Sequence, residues 1–114
     1  MNPTNKLEFQ ALPYSYNALE PSIDKQTVEI HYSKHHKAYY DNFMNAIKGT
    51  DMESMDMMDI IRNISKYPMA VRNNGGGYFN HTFYWEGMKA SGGGLPTGKL
   101  SDAITKSFTS FDEF

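Results

Sequence analysis

Between Asp24 and about Lys48 the chain runs without Gly or Pro, and within that run His31, His35, Tyr39, Phe43 and Ile47 recur at every fourth position. Residues four apart share a face of an α-helix, so these five fall on one slowly drifting stripe. Val28 and Tyr32 flank the stripe, while Lys25, Glu29, Lys34 and Lys37 fall on the opposite side. This division predicts an amphipathic helix. Asp24 is a suitable N-cap, and Gly49 is placed to stop the helix as its C′ residue. Residues 7–23 contain Pro13, Pro21 and several aromatics and read as an extended, irregular lead-in.

Residues 50–67 carry Met52, Met55, Met57 and Met58 and then Ile60, Ile61 and Ile64, predicting a short helix. A thioether cluster can bind soft Cu(I). Acidic residues interrupt this one, however, and its spacing follows a helix face, which favours Met as filler of irregular apolar space. Pro68, at the N1 position, opens a second helix running to about Met88. Gly75-Gly76-Gly77 argues against continuity, at about 1 kcal/mol per Gly relative to Ala. Asn74, Tyr78, His81, Trp85 and Met88 nevertheless keep a heptad-like spacing across the run, so one helix is expected, with another group close to its glycines. After the break at Ser91-Gly92-Gly93-Gly94-Leu95-Pro96, Ser101 is expected to cap a third helix bearing Ala103, Ile104, Phe108 and Phe111.

Composition narrows the class. Hydrophobic residues make up 39% and charged residues 21% of the 114, with a net charge of -2. That is globular, and it lacks the clustered Lys and Arg of a nucleic-acid footprint. No apolar run approaches the roughly 20 residues of a membrane span, and the polar start Met1-Asn2-Pro3-Thr4-Asn5-Lys6 does not read as a signal peptide. With no cysteine, disulfides and thiolate metal sites are excluded, and a metal would need nitrogen or oxygen ligands. A cytoplasmic protein is expected. Eight Tyr, seven Phe and one Trp are many for this length and suggest packing around something or against a partner.

The candidate chemistry rests on four histidines, His31, His35, His36 and His81. His31 and His35 are an i, i+4 pair about 6 Å apart along the axis, a spacing that can serve one metal or two ordinary hydrogen-bonded side chains. His36 points about 100° away from His35 and is expected in solvent. His81 gains weight if two antiparallel helices bring it to the first helix. Other sites fare poorly. No His has a Glu three residues before it, as a di-iron bundle would require, and neither His-Glu-x-x-His, Gly-x-Ser-x-Gly nor a P-loop is present.

Three sets of residues carry a more specific signal. Leu12-Pro13-Tyr14, Ala18-Leu19-Glu20-Pro21 and His31-Tyr32-Ser33-Lys34-His35-His36-Lys37-Ala38-Tyr39 closely resemble the opening of iron/manganese superoxide dismutases. So does Asn73-Asn74-Gly75-Gly76-Gly77-Tyr78-Phe79-Asn80-His81-Thr82-Phe83-Tyr84-Trp85. Gly94-Leu95-Pro96-Thr97-Gly98-Lys99-Leu100 and Phe108-x-x-Phe111 look like the start of that family's second domain. The resemblance runs from about Leu7 to the end. It implies a mainly α chain, with a long antiparallel helical hairpin over 1–92 followed by the first helix of a truncated α/β domain over 93–114.

By the same resemblance, His31 and His81 match the two metal-ligating histidines of the hairpin. His35 and Tyr39 match a catalytic pair at the mouth of the substrate channel that does not bind the metal, and Phe79 and Trp85 match its aromatic surround. The implied cofactor is one manganese or iron ion per complete subunit, the substrate superoxide, and the assembly a homodimer or homotetramer. Gly77 tilts the choice towards manganese, because similar iron enzymes often carry Gln there, whereas in manganese relatives Gly leaves a gap that a side chain from elsewhere can fill. The family's further Asp and His ligands lie in an Asp-x-Trp-Glu-His-type motif that this sequence lacks. The chain therefore reads as incomplete and inactive alone. The alternative is a non-catalytic helical metal-binding or interaction module.

Overall fold

The first long helix starts where Asp24 accepts the Thr27 N–H on its carboxylate at 2.9 Å. In the computed structural model, which describes residues 7–114, this helix has three parts: α1 (Lys25–Ile30), a π-helical segment (His31–His36) and α2 (Lys37–Ile47). The backbone stays right-handed helical through both junctions, so the three form one rod. The π segment has no signature in the apolar pattern. The rod stops in a tight turn: Lys48 is extended, Gly49 takes φ 76°, and the Thr50 N–H donates to the Ile47 carbonyl at 3.0 Å. A positive φ at the third position of such a turn is the conformation that favours glycine. The polar run Met1–Lys6 lies outside the described residues.

The Met-rich stretch forms short pieces instead of one helix: a 3₁₀ turn at Asp51–Ser54, α3 (Met57–Arg62) and a second 3₁₀ turn at Ile64–Lys66. Met52 and Met57 are buried among Phe43, Ile47, Ile60, Val71 and Tyr78. Both thioethers thus serve as core filler.

Helix α4 (Met69–Glu86) is continuous through the three glycines. Pro68 sits one position earlier than expected, as the N-cap, with extended backbone. The glycines are explained by the helix opposite. A Cβ on Gly75 would lie 3.0 Å from the Phe43 ring, and one on Gly77 would lie within 2.7 Å of three carbons of the Tyr39 ring. The two helices are antiparallel, since Tyr39 meets Gly77 while Phe43 meets Gly75. The gap at Gly77, expected to admit a side chain from elsewhere, is filled by Tyr39 of the same chain.

Two clusters of buried side chains lie along the hairpin. The larger surrounds Phe43, Ile47 and Tyr78, and the smaller joins Leu19, Val28 and Trp85. The lead-in, which has no helix or strand of its own, is held by tyrosine hydroxyls. Tyr32 donates to the Gln10 carbonyl at 2.7 Å, Tyr78 to that of Glu8 at 2.6 Å and Tyr40 to that of Leu7 at 3.2 Å. In the other direction, Tyr14 of the lead-in donates to the Trp85 carbonyl at 2.8 Å.

Helix α5 (Gly98–Phe108) begins directly after the extended Thr97, so Ser101 lies inside the helix and does not cap it; the helix ends where Thr109 takes φ 75°, which leaves Phe111, expected on it, outside. Ile104 is buried, while Phe108 and Phe111 are exposed and rest against Phe114, with ring centroids 5.0 and 6.2 Å away. The described residues include no strand, and no helix among them is long and apolar enough to cross a membrane.

Candidate metal centre

An every-fourth-residue row drifts about 40° per step around a 3.6-residue helix. The π segment at His31–His36 adds the wider i→i+5 turn, which takes up this drift. His31, His35 and Tyr39 therefore stay together and, with Thr27, Ile30 and His81, line an open cavity of about 530 Å³. Past the segment, Phe43 and Ile47 turn into the core. The stripe read from the sequence is thus two surfaces, joined where the helix changes its winding.

His31 and His81 come from facing helices and meet edge to face, with ring centroids 4.9 Å apart and planes at 89°. Trp85 closes one side at 4.9 Å from His31, with Tyr84 at 5.6 Å. His35 stands 6.1 Å from His31 towards the solvent, and Tyr39 lies 5.1 Å from His81. Phe79, expected beside the metal, packs on the larger core cluster.

The hydrogen bonds define the state of the rings. His81 Nδ1 lies 2.7 Å from the Gly77 carbonyl. A carbonyl can only accept, so Nδ1 carries a proton, and in the neutral ring the lone pair is on Nε2. Burial holds the His31 pKa below the usual histidine value, with the neighbouring charges of His81 and His35 acting in the same direction. Two imidazoles with available lone pairs, one oriented by a backbone carbonyl, suit divalent or trivalent iron or manganese. Among the described residues no set of three or more His, Cys, Asp or Glu side chains is gathered closely enough to hold a metal ion. The cavity thus holds two candidate ligands, His31 and His81, beside an aromatic wall.

The expectation for His36 is overturned. Its side chain is 1% exposed and lies inside the hairpin. The Trp85 indole N–H donates to its Nδ1 at 3.1 Å, and Thr82 Oγ1 lies 3.4 Å from its Nε2. Burial, reinforced by the charge of His81, lowers its pKa to about 4. Counting outward from the stripe hid this position. Counting from Val28 through Tyr32 reaches His36 as the next residue of a second, inward row, and that was the available signal.

Comparison with known proteins decides the family. Residues 6–89 match the iron/manganese superoxide dismutase alpha-hairpin domain. The chain belongs to the iron/manganese superoxide dismutase family. It is 52% identical over 105 residues to a superoxide dismutase [Mn] of Acinetobacter baylyi, covering 90% of this chain and 46% of that protein. It is 47% identical over 105 residues to a superoxide dismutase [Fe] of Synechocystis, covering 90% of this chain and 53% of that protein. A superoxide dismutase [Fe] of Raoultella planticola is 46% identical over 111 residues, with 94% of this chain and 65% of that protein covered. The chain thus spans about half the length of these curated relatives, and both metals occur among their names. Its hairpin is the part of the family fold that the match describes.

Proposed function

We propose that this chain is the hairpin half of a superoxide dismutase in which His31 and His81 bind the metal and His35 and Tyr39 serve the substrate channel. The observation that carries the reading is the 4.9 Å edge-to-face pairing of His31 and His81, on facing helices, in a cavity that His35 and Tyr39 also line. The alternative of a non-catalytic helical module has nothing comparable, since the relatives of both metal types are named as dismutases.

When bound, a manganese or iron ion supplies the redox couple that takes an electron from one superoxide, releasing oxygen, and passes it to a second, released with two protons as hydrogen peroxide. The residues of this chain hold and shield that couple. The Gly77 carbonyl fixes the tautomer of His81, so its Nε2 is the ligating atom. Trp85 excludes water from the flank of His31. Tyr39, 5.1 Å from His81 and partly exposed, is placed to pass a proton through its hydroxyl between solvent and the cavity. Manganese is slightly favoured over iron, because a glutamine at position 77 has no room while Tyr39 holds its place. The remaining ligands come from sequence beyond these 114 residues, with residues 93–114 as the start of a second, α/β domain. A cytoplasmic homodimer or homotetramer completes the reading.

Metal analysis of the longer protein tests it. His31→Ala and His81→Ala should each reduce bound metal from about one per subunit to near none, because losing a ligand opens the site. Wild-type metal content with wild-type activity in either variant refutes the assignment.

A further inference from the structure

His36 is the most deeply buried histidine of the chain, and the metal-binding reading gives it no task. The Trp85 indole N–H can only donate, so His36 Nδ1 must be the acceptor and Nε2 must carry the proton. That proton points the chain of donors onward: Nε2–H to Thr82 Oγ1 at 3.4 Å, and the Thr82 hydroxyl to the Tyr78 carbonyl at 3.2 Å. The His36 ring also stacks on that of His81, 5.3 Å away and inclined by 22°. Tyr78 and Phe9 hold it from other sides at 5.3 and 5.0 Å. Thus one side chain touches both a candidate ligand, His81, and the indole that walls the other, His31, at 4.9 Å.

Resting on the metal-binding reading above, we propose that His36 is a positioning residue: its Nδ1 lone pair locks the Trp85 indole against His31 while its ring supports His81, so that the two metal ligands are held in register without His36 touching the metal. A purely space-filling role would need the ring alone. The positioning role needs an acceptor at the Nδ1 position, and that difference can be tested.

Trp85 is the single tryptophan of the chain, so its indole N–H gives one NMR resonance whose hydrogen exchange reads the bond to His36 without any metal. His36→Asn keeps an acceptor oxygen near the Nδ1 position, His36→Gln moves it one bond outward, and His36→Leu removes it. In the 114-residue chain the indole exchange should stay within about threefold of wild type in His36→Asn and accelerate at least tenfold in His36→Gln and His36→Leu. Titration with Mn²⁺ of the same proteins should show weakening of roughly 10-fold or more for Gln and Leu, as for other partners that orient ligands, and little change for Asn. Equal exchange and equal Mn²⁺ affinity in Asn and Gln would overturn the proposal, even if His36→Leu loses helix by circular dichroism. His31→Ala separates the two claims. Unchanged Mn²⁺ affinity in that variant defeats the metal-binding reading, while the indole exchange still decides whether His36 holds Trp85.

Discussion

Tyr78 shows how a single side chain can tie fold stability to pH. It is buried, its hydroxyl donates to the Glu8 carbonyl, and burial pushes its pKa up to about 12 from 10.0. The folded chain therefore keeps this proton where the unfolded chain has lost it. The contribution is complete below pH 10 and disappears as pH rises through about 12, amounting to roughly 2–3 kcal/mol. Urea unfolding at pH 8 and pH 11.5 should show a fall in stability that is smaller in Tyr78→Phe by about that amount. Tyr39 differs, being at the cavity edge and partly exposed. In the longer protein Tyr39→Phe should retain the metal and change turnover or product inhibition, because only the hydroxyl is lost. Metal analysis beside stopped-flow assay of superoxide decay checks this, and a loss of metal would place Tyr39 among the ligands.

At the scale of helices, the close approach of α2 to α4 rests on which glycine faces inward. A Cβ at Gly76 would meet nothing within 4 Å, whereas at Gly77 it would run into Tyr39. Gly76→Ala should raise stability by about 0.5–1 kcal/mol through helix propensity. Gly77→Ala should lower it by about 1–3 kcal/mol through overpacking and move the Tyr39 ring. Thermal melts of the two variants should shift in opposite directions. Both long helices were legible in the sequence, the first from its every-fourth-residue row and the second from Tyr78, His81 and Trp85 persisting across the glycines. The irregular lead-in and the Asp24 cap were legible too. The π segment was not, because it alters the winding without altering the pattern of residues. His36 was missed for a related reason: a charged-capable residue beside Lys37 reads as solvated until the facing helix, with its Trp85 N–H, is known. The break-up of 50–67 into short pieces follows from packing under the hairpin, which local propensity does not encode.

At the scale of the molecule, the Cα radius of gyration is 17.1 Å and the extents are 50 × 35 × 22 Å, against about 13 Å for a compact domain of this length. An elongated chain leaves apolar groups outside: Phe83, Leu95, Leu100 and Phe114 are each at least 60% exposed. Trp85 is not among them, being buried. The 114-residue chain should therefore self-associate as concentration rises, since large apolar patches seek partners. Sedimentation velocity should show the trend, weaker in Phe83→Ser combined with Leu100→Ser. Loaded with manganese or iron and freed of excess metal, the same chain should show no dismutase activity above free metal, since on the proposed assignment it supplies no more than His31 and His81; activity per metal equal to that of a full-length relative would refute this. The tyrosine anchors of the lead-in also impose an order in time. Leu7, Glu8 and Gln10 are made before Tyr40, Tyr78 and Tyr32, whose hydroxyls hold their carbonyls. At about 5–20 residues per second of synthesis, Glu8 waits roughly 4–14 s for Tyr78 to be made. The lead-in is thus held by hydroxyls that are synthesised only after it.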